Sequence, residues 1–224
     1  MKPHTFYESY WNQENAPPHL DPTTSDRMAR LEKALRSSLH QPEPRRLHVL
    51  DAGCGDGVFA AFLHGLGFQV TGVDLSATAI ERARARSPDV DLRLASLEEP
   101  LPFPDATFDA VWCTEVLEHV FSVHDTLAEL NRVLKDRGTL LLTTPYHGLV
   151  KNVLIALLKF DQHFNPDISH IRFFTRPTLE RCLSRAGFVP LSWGGVGRIW
   201  PMWKSFFVTA QKGGPPGHRP QIIG

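Results

Sequence analysis

Cysteine is scarce in this 224-residue chain. Cys54, Cys113 and Cys182 are odd in number, far apart and free of any C-x-x-C pair. That argues against a disulfide framework and a thiolate zinc site, and a reducing compartment is expected. An excess of charge is missing too. Lys+Arg and Asp+Glu are each 24, so no broad positive field exists to neutralise phosphates, and nucleic acid is not expected as a partner. No apolar run approaches the ~18 residues of a membrane span, and the opening "MKPHTFYESYWNQ" has no apolar core of the secretory kind. Neither secretion nor a span is signalled, and a cytoplasmic location is the expectation. Internal repeats are also lacking. What remains, 42% hydrophobic and 21% charged residues, is ordinary for a folded globular chain of one domain with additions.

Residues 1–46 are mixed. An aromatic start precedes a turn at Ala16-Pro17-Pro18, and a helix is predicted around Ser25 to Leu39, with Met28, Leu31, Leu35 and Leu39 at helical spacing. This segment is read as a helical lid. From Leu47 strands and helices alternate: "LHVLDAG", a helix over Val58 to Leu66, "FQVTGVD", a helix over Ser76 to Arg86, then "VDLRLAS" and "FDAVWC". A helix over Val123 to Leu134 and the strand "GTLLLTTP" follow. Such alternation predicts a parallel, doubly wound α/β sheet. Beyond it lie an apolar helix in "GLVKNVLIALLKF", a helix in "TRPTLERCLSRAGF" with Thr175 as N-cap, Pro177 in its first turn and Gly187 at its end, and strands in "VPLSW" and "KSFFVTAQK". The core domain is read as 47–210, with 146–172 as an insert over the acceptor and 211–224 as a disordered tail.

The turn "DAGCGDG" places Gly53, Gly55 and Gly57 two apart, so a ligand can approach the main chain closely at the carboxyl ends of the strands. The dinucleotide fingerprint G-x-G-x-x-G would need its third glycine at Val58, which weighs against a nicotinamide-dependent reductase. Asp51, ending the first strand, repels a pyrophosphate and attracts a cation. Asp74 ends the second strand, where a carboxylate can accept both hydroxyls of a ribose. An adenosine joined to an amino acid through a positive centre satisfies both carboxylates. Asp109, opening "FDAVW", is read as structural, holding backbone amides.

The stretches "VLDAGCGDG", "VTGVDLS", "LPFPDATFDAVWC" and "VLEHV" resemble, in order and spacing, the motifs of class I S-adenosylmethionine-dependent methyltransferases, across roughly Leu47 to Pro145. The resemblance implies a doubly wound, mostly parallel seven-stranded sheet of Rossmann-like methyltransferase type, its last strand antiparallel and supplied by "KSFFVTAQK". It implies S-adenosylmethionine as cofactor. Asp51, Gly53, Cys54, Gly55 and Gly57 would hold the methionine part, and Asp74 with Leu75 the ribose. Ser96 and Leu97 would lie by the adenine, and Thr114 would line the pocket. The family usually carries an acidic or amide residue near Ser96, a role Glu98 would have to fill.

In "CTEVLEHV", if Glu115 opens the next helix, then Glu118 and His119 share its face at i+3 and i+4. Two carboxylates and an imidazole could ligate a divalent cation such as Mg. The pattern is similar to that of the O-methyltransferases of ubiquinone biosynthesis and of small-RNA 2′-O-methyltransferases, where such residues bind a metal. "LEHV" is equally found in family members with no known metal, where these side chains would contact cofactor and acceptor instead. His147, His163 and His170 are the available further ligands. For a hydroxyl acceptor a general base is useful, and His119 is the first candidate and His147 the second. The aromatics Tyr7, Tyr10 and Trp11, the insert "GLVKNVLIALLKF" and "GRIWPMWKSFF" could wall an apolar or aromatic small-molecule acceptor, or simply pack. The expected activity is O-methylation of a small molecule. The alternative is a catalytically silent fold that binds the same cofactor as a partner subunit.

Overall fold

The computed structural model describes residues 8, 10–12, 22–38, 47–158, 160 and 171–213. Tyr7, Leu39, His163, His170 and 214–224 lie outside the described residues. The elements, in chain order, are α1 (Thr24–Ser38), β1 (His48–Ala52), α2 (Val58–Gly65), β2 (Gln69–Asp74), α3 (Ala77–Arg86) and β3 (Asp91–Leu94). Then come β4 (Phe108–Thr114), α4 (Val123–Val133), β5 (Leu134–Pro145), α5 (Leu149–Leu158), α6 (Arg176–Arg185), β6 (Phe188–Val196) and β7 (Ser205–Lys212).

The seven strands form one sheet in the order β3-β2-β1-β4-β5-β7-β6. All neighbours are parallel except that β7 runs antiparallel to both β5 and β6. The doubly wound reading and its reversed last strand are therefore correct. Alternation along the strands divides the core in two. Val49, Val70, Ala110, Trp112 and Leu141 face one side, against Leu31 and Leu35 of α1, Phe59 and Leu63 of α2, and Ile80 of α3. Leu50, Val73, Val111, Leu140 and Val208 face the other, against Leu127 and Leu130 of α4 and Leu179 and Leu183 of α6. Helix starts follow local chemistry: Ser76 Oγ accepts the Ala79 amide and Ser122 Oγ the Asp125 amide. At α6, Thr178 Oγ1 accepts the Thr175 amide, and Gly187 (φ +81°) leaves the helix in the left-handed region. Asp109 is structural as read, accepting the His48 amide and pairing with Lys135 Nζ, each at 2.9 Å.

Boundaries move in β6, which runs on to Val196, and in β5. The fifth strand begins at Leu134, not Gly138, because Leu134 leaves α4 extended and pairs with Phe108 before the chain turns through Arg137 at φ +60°. At the far end β7 reaches Lys212, as the strand reading of "KSFFVTAQK" implies, with Gln211 and Lys212 paired to Val189 and Phe188.

Candidate active site

The site is built at the carboxyl ends of β1, β2 and β4. Asp51 lies in β1 and is fully buried. Neither of its carboxyl oxygens completes a hydrogen bond of normal geometry. Burial, with the Asp74 carboxylate as the second cause, pushes its pKa up to about 8, and the nearby Ala60 amide offsets only part of this. A buried carboxyl so weakly hydrogen-bonded is costly to the empty protein, so it is where a cationic, hydrogen-bonding ligand would gain most.

The loop after β1 is held by backbone bonds: the Gly53 and Cys54 amides both donate to the Val73 carbonyl at 2.9 Å. Gly53 sits at φ +77°, and a Cβ there would lie 2.5 Å from Val116 Cγ2. Gly57, at φ +79°, is the residue before α2, where a Cβ would meet Ala83 Cβ at 2.9 Å. Asp74 is half-buried. Its carboxylate accepts the Gly55 amide on one oxygen and the Ser76 amide on the other, both at 2.9 Å, and thereby ties the glycine loop to the start of α3. Leu75 follows it at partial exposure, while Cys54 is buried and its thiol pKa is raised by burial.

Trp11 covers this loop. The ring is buried, and a Cβ on Gly55 would lie 3.0 Å from its Cζ2. The Arg82 guanidinium stands over the same ring, 5.9 Å from the centroid. Glu8 fastens the segment by accepting the Ala77 amide and, at 2.9 Å, the Thr78 hydroxyl. Of the N-terminal aromatics, Trp11 packs on the glycine loop, and Tyr10, whose pKa burial raises first, lies near enough for the Asp56 carboxylate to raise it further.

Beside β3, Leu97 is buried in the core and Ser96 is half-buried, its Oγ accepting the Glu98 amide. Glu98 Oε1 is engaged by the Phe121 and Ser122 amides at 2.7 and 2.9 Å. Thr114, ending β4, shares a 2.7 Å hydrogen bond with Thr143.

The segment from Glu115 to His119 differs from the helical expectation. Glu115 is left-handed (φ +51°), its amide donates to the Thr143 carbonyl, and a tight turn closes from the His119 amide to the Val116 carbonyl. The helix begins after Ser122. The three side chains therefore do not share a helix face. Glu115 accepts Thr143 Oγ1 at 2.8 Å and Ser205 Oγ at 3.1 Å, and pairs with the buried Arg27 guanidinium of α1 at 3.4 Å. Glu118 turns inward, fully buried, accepting Thr144 Oγ1 at 3.1 Å. Burial first and the Glu115 carboxylate second raise its pKa well above the usual carboxylate range. His119 remains partly exposed, Nε2 3.9 Å from Glu118 Oε1. Among the described residues no group of three or more His, Cys, Asp or Glu side chains could hold a metal ion, so the expected Glu115–Glu118–His119 cage is not formed. His147 is buried beyond β5, its Nδ1 3.4 Å from Asn152 Oδ1 and its ring edge-on to Phe173. Sequence reasoning missed Arg27. The signal was there: Arg27, Leu31 and Leu35 are spaced by four, so the arginine lies on the apolar stripe of α1.

Residues 50–142 match the model of a methyltransferase domain family. Over those residues the chain is similar to methyltransferase domains. It is 35% identical over 148 residues to the "Probable S-adenosylmethionine-dependent methyltransferase" of Mycobacterium tuberculosis, covering 66% of this chain and 51% of that protein. Similarity extends to the malonyl-[acyl-carrier protein] O-methyltransferase of Erwinia pyrifoliae, at 34% over 156 residues, 70% of this chain and 56% of the other. The ubiquinone biosynthesis O-methyltransferase of Xanthomonas axonopodis pv. citri is 38% identical over 106 residues, 46% and 44% of the two chains. This chain spans about half the length of these curated relatives. A crystal structure of an S-adenosylmethionine-dependent methyltransferase from Mesorhizobium loti shares the fold, with TM-score 0.62 and 24% identity over 80% of this chain and 96% of that one.

The separate engagement of Glu115 and Glu118 leads to a clear expectation. Extensive chelation with EDTA leaves the affinity for S-adenosylhomocysteine, measured calorimetrically, unchanged. A loss that Mg restores would reinstate a metal at Glu115, Glu118 and His119.

Proposed function

We propose that the chain is an S-adenosylmethionine-dependent methyltransferase acting on a hydroxyl of a small, apolar or aromatic molecule. The observation that carries this reading is Asp51: a fully buried carboxyl with no hydrogen bond of normal geometry among the described residues, at the head of a glycine loop whose Cβ positions are already filled by Val116, Trp11 and Ala83. A cationic sulfonium amino acid fits such a crevice and a pyrophosphate does not. The names of the curated relatives, two of them O-methyltransferases, support the same direction.

In this reading Asp51 and the loop amides hold the amino-acid portion, and Asp74, already aimed at the loop, holds the ribose hydroxyls. Ser96, Leu97 and Thr114 border the remainder. The bound cofactor supplies an electrophilic methyl group. The chain's own task is to hold the acceptor oxygen in line, about 3 Å from that carbon, and to keep water out. His119 is the base for a hydroxyl acceptor, since its ring is partly exposed. His147 is enclosed by Asn152 and Phe173 and orients the chain after β5.

Two measurements test this. Asp74→Ala removes the ribose acceptors and is expected to weaken S-adenosylhomocysteine binding by about 2 kcal/mol or more, as charge-assisted hydrogen bonds contribute about 1.5 to 3 kcal/mol each. Unchanged calorimetric affinity would refute its role. Transfer of labelled methyl to a panel of phenols and quinols is the test of turnover; tight cofactor binding with no transfer to any acceptor would favour a silent binding fold.

A further inference from the structure

Helix α5 is inside out. Its polar side chains face the protein: Lys151 Nζ donates to the carbonyls of Tyr146 and Trp203 at 2.8 and 3.1 Å, and Asn152 meets His147. Burial lowers the Lys151 pKa to about 8, with Arg198 as the second cause. Its apolar side chains face outward. Leu149 is 81% exposed and Leu157 and Leu158 75% each, and no residue of the helix is buried. A surface helix of a soluble fold has the opposite arrangement.

The patch continues past the helix. Phe173, edge-on to His147, is exposed, and so are Ile199 (85%) and Trp200 (67%) on the loop that Lys151 ties to α5. Contiguous apolar surface of this kind marks a binding face rather than random exposure. Basic residues flank the patch, and the nearby Asp26, which accepts the Gly197 amide at 2.9 Å, is itself paired with Arg30. From residue 187 to 205 the chain has Arg198 and Lys204 and no Asp or Glu, although the whole molecule is neutral. Arg198 and Lys204 are exposed beside the patch.

We propose that this face docks on the surface of an anionic lipid bilayer, with α5 lying in the membrane plane. Ten residues rise about 15 Å, half of what a span requires, and no described helix is long and apolar enough to cross. A short helix with outward leucines and a flanking aromatic can instead seat at the boundary of headgroups and acyl chains, while exposed Arg and Lys meet the phosphates. The charge pattern argues against a second copy as the occupant. A two-fold contact through this face would set Arg198 and Lys204 of each copy near those of the other, with no acidic residue on these segments to compensate. Nothing in this inference depends on the methyl-transfer reading.

The test is co-sedimentation of the full chain with phosphatidylcholine vesicles, with and without phosphatidylglycerol. Binding is expected to the anionic vesicles, to be weaker on the neutral ones, and to fall with added NaCl. The double variant Leu157→Glu, Leu158→Glu is expected to lower the partition coefficient by about tenfold or more while S-adenosylhomocysteine affinity and circular dichroism stay as in the parent. No sedimentation with either vesicle type, or equal binding by the double variant, overturns the proposal. So does a dimer in analytical ultracentrifugation that the same substitutions dissolve, which would assign the face to a second copy.

Discussion

Asp51→Asn is expected to make the empty protein more stable and the cofactor site useless. The carboxyl has an ordinary value of 3.8 and is pushed up to about 8 in the fold. Its contribution is therefore complete below pH 4 and is lost as pH rises from about 4 through about 8, because the unfolded chain releases the proton that the folded chain retains. At about 1.4 kcal/mol per unit, the penalty at neutral pH is on the order of 2 to 4 kcal/mol, and asparagine, which carries no proton to lose, removes most of it. Thermal denaturation at pH 8 should show a melting temperature higher by roughly 5 to 10 °C and a flatter pH dependence. S-adenosylhomocysteine binding should disappear in the same variant. In the parent, a cationic ligand selects the ionised carboxylate, so affinity should climb with pH by up to about tenfold per unit until about pH 8. A melting temperature unchanged at pH 8, or parental affinity in the variant, would sink the role assigned to Asp51.

Gly53→Ala carries the second large effect, with the opposite sign for stability. At φ +77° an L side chain costs roughly 1 to 2 kcal/mol, and its Cβ would stand 2.5 Å from Val116 Cγ2. Valine is stiff at χ1 and cannot swing aside cheaply, so the strain passes into the turn that carries Glu118 and His119. A total loss of about 2 to 4 kcal/mol is expected in urea denaturation, together with loss of cofactor affinity. The pair Gly53→Ala, Val116→Ala should regain part of the stability, a coupling that only direct contact produces. If the double variant is as unstable as the sum of its parts, the two loops are not in the contact described.

Much of the fold was legible because its signals are local. Alternating apolar runs gave the strands, Ser76 and Thr175 marked helix starts, and the spacing of Gly53, Gly55 and Gly57 after Asp51 marked the tight loop between β1 and α2. The sequence also placed Asp74 correctly beside it, since parallel neighbours put successive strand ends on one edge. Glu115 was misread for a physical reason. Glutamates and a histidine at three- and four-residue spacing suit a helix face, but the same spacing fits a tight turn, and nothing in the letters reveals a left-handed glutamate whose amide extends a ladder to Thr143. The partners of that residue, Arg27 and Ser205, are 88 positions before it and 90 after it in the chain. Pairings of that range are set by tertiary packing. The inverted polarity of α5 was equally hidden, because periodicity shows that a helix has two sides without saying which one meets the protein.

The first helix has a practical implication for anyone trimming the molecule. Leu31 and Leu35 are fully buried among strand side chains, and the Arg27 guanidinium is the cation paired with Glu115 at the rim of the crevice. A truncation starting at Leu47 would uncover greasy surface on the sheet and strand a carboxylate. The smallest autonomous piece therefore starts upstream of the stretch that sequence comparison recognises, and aggregation on shortening would report lost scaffolding, not lost chemistry.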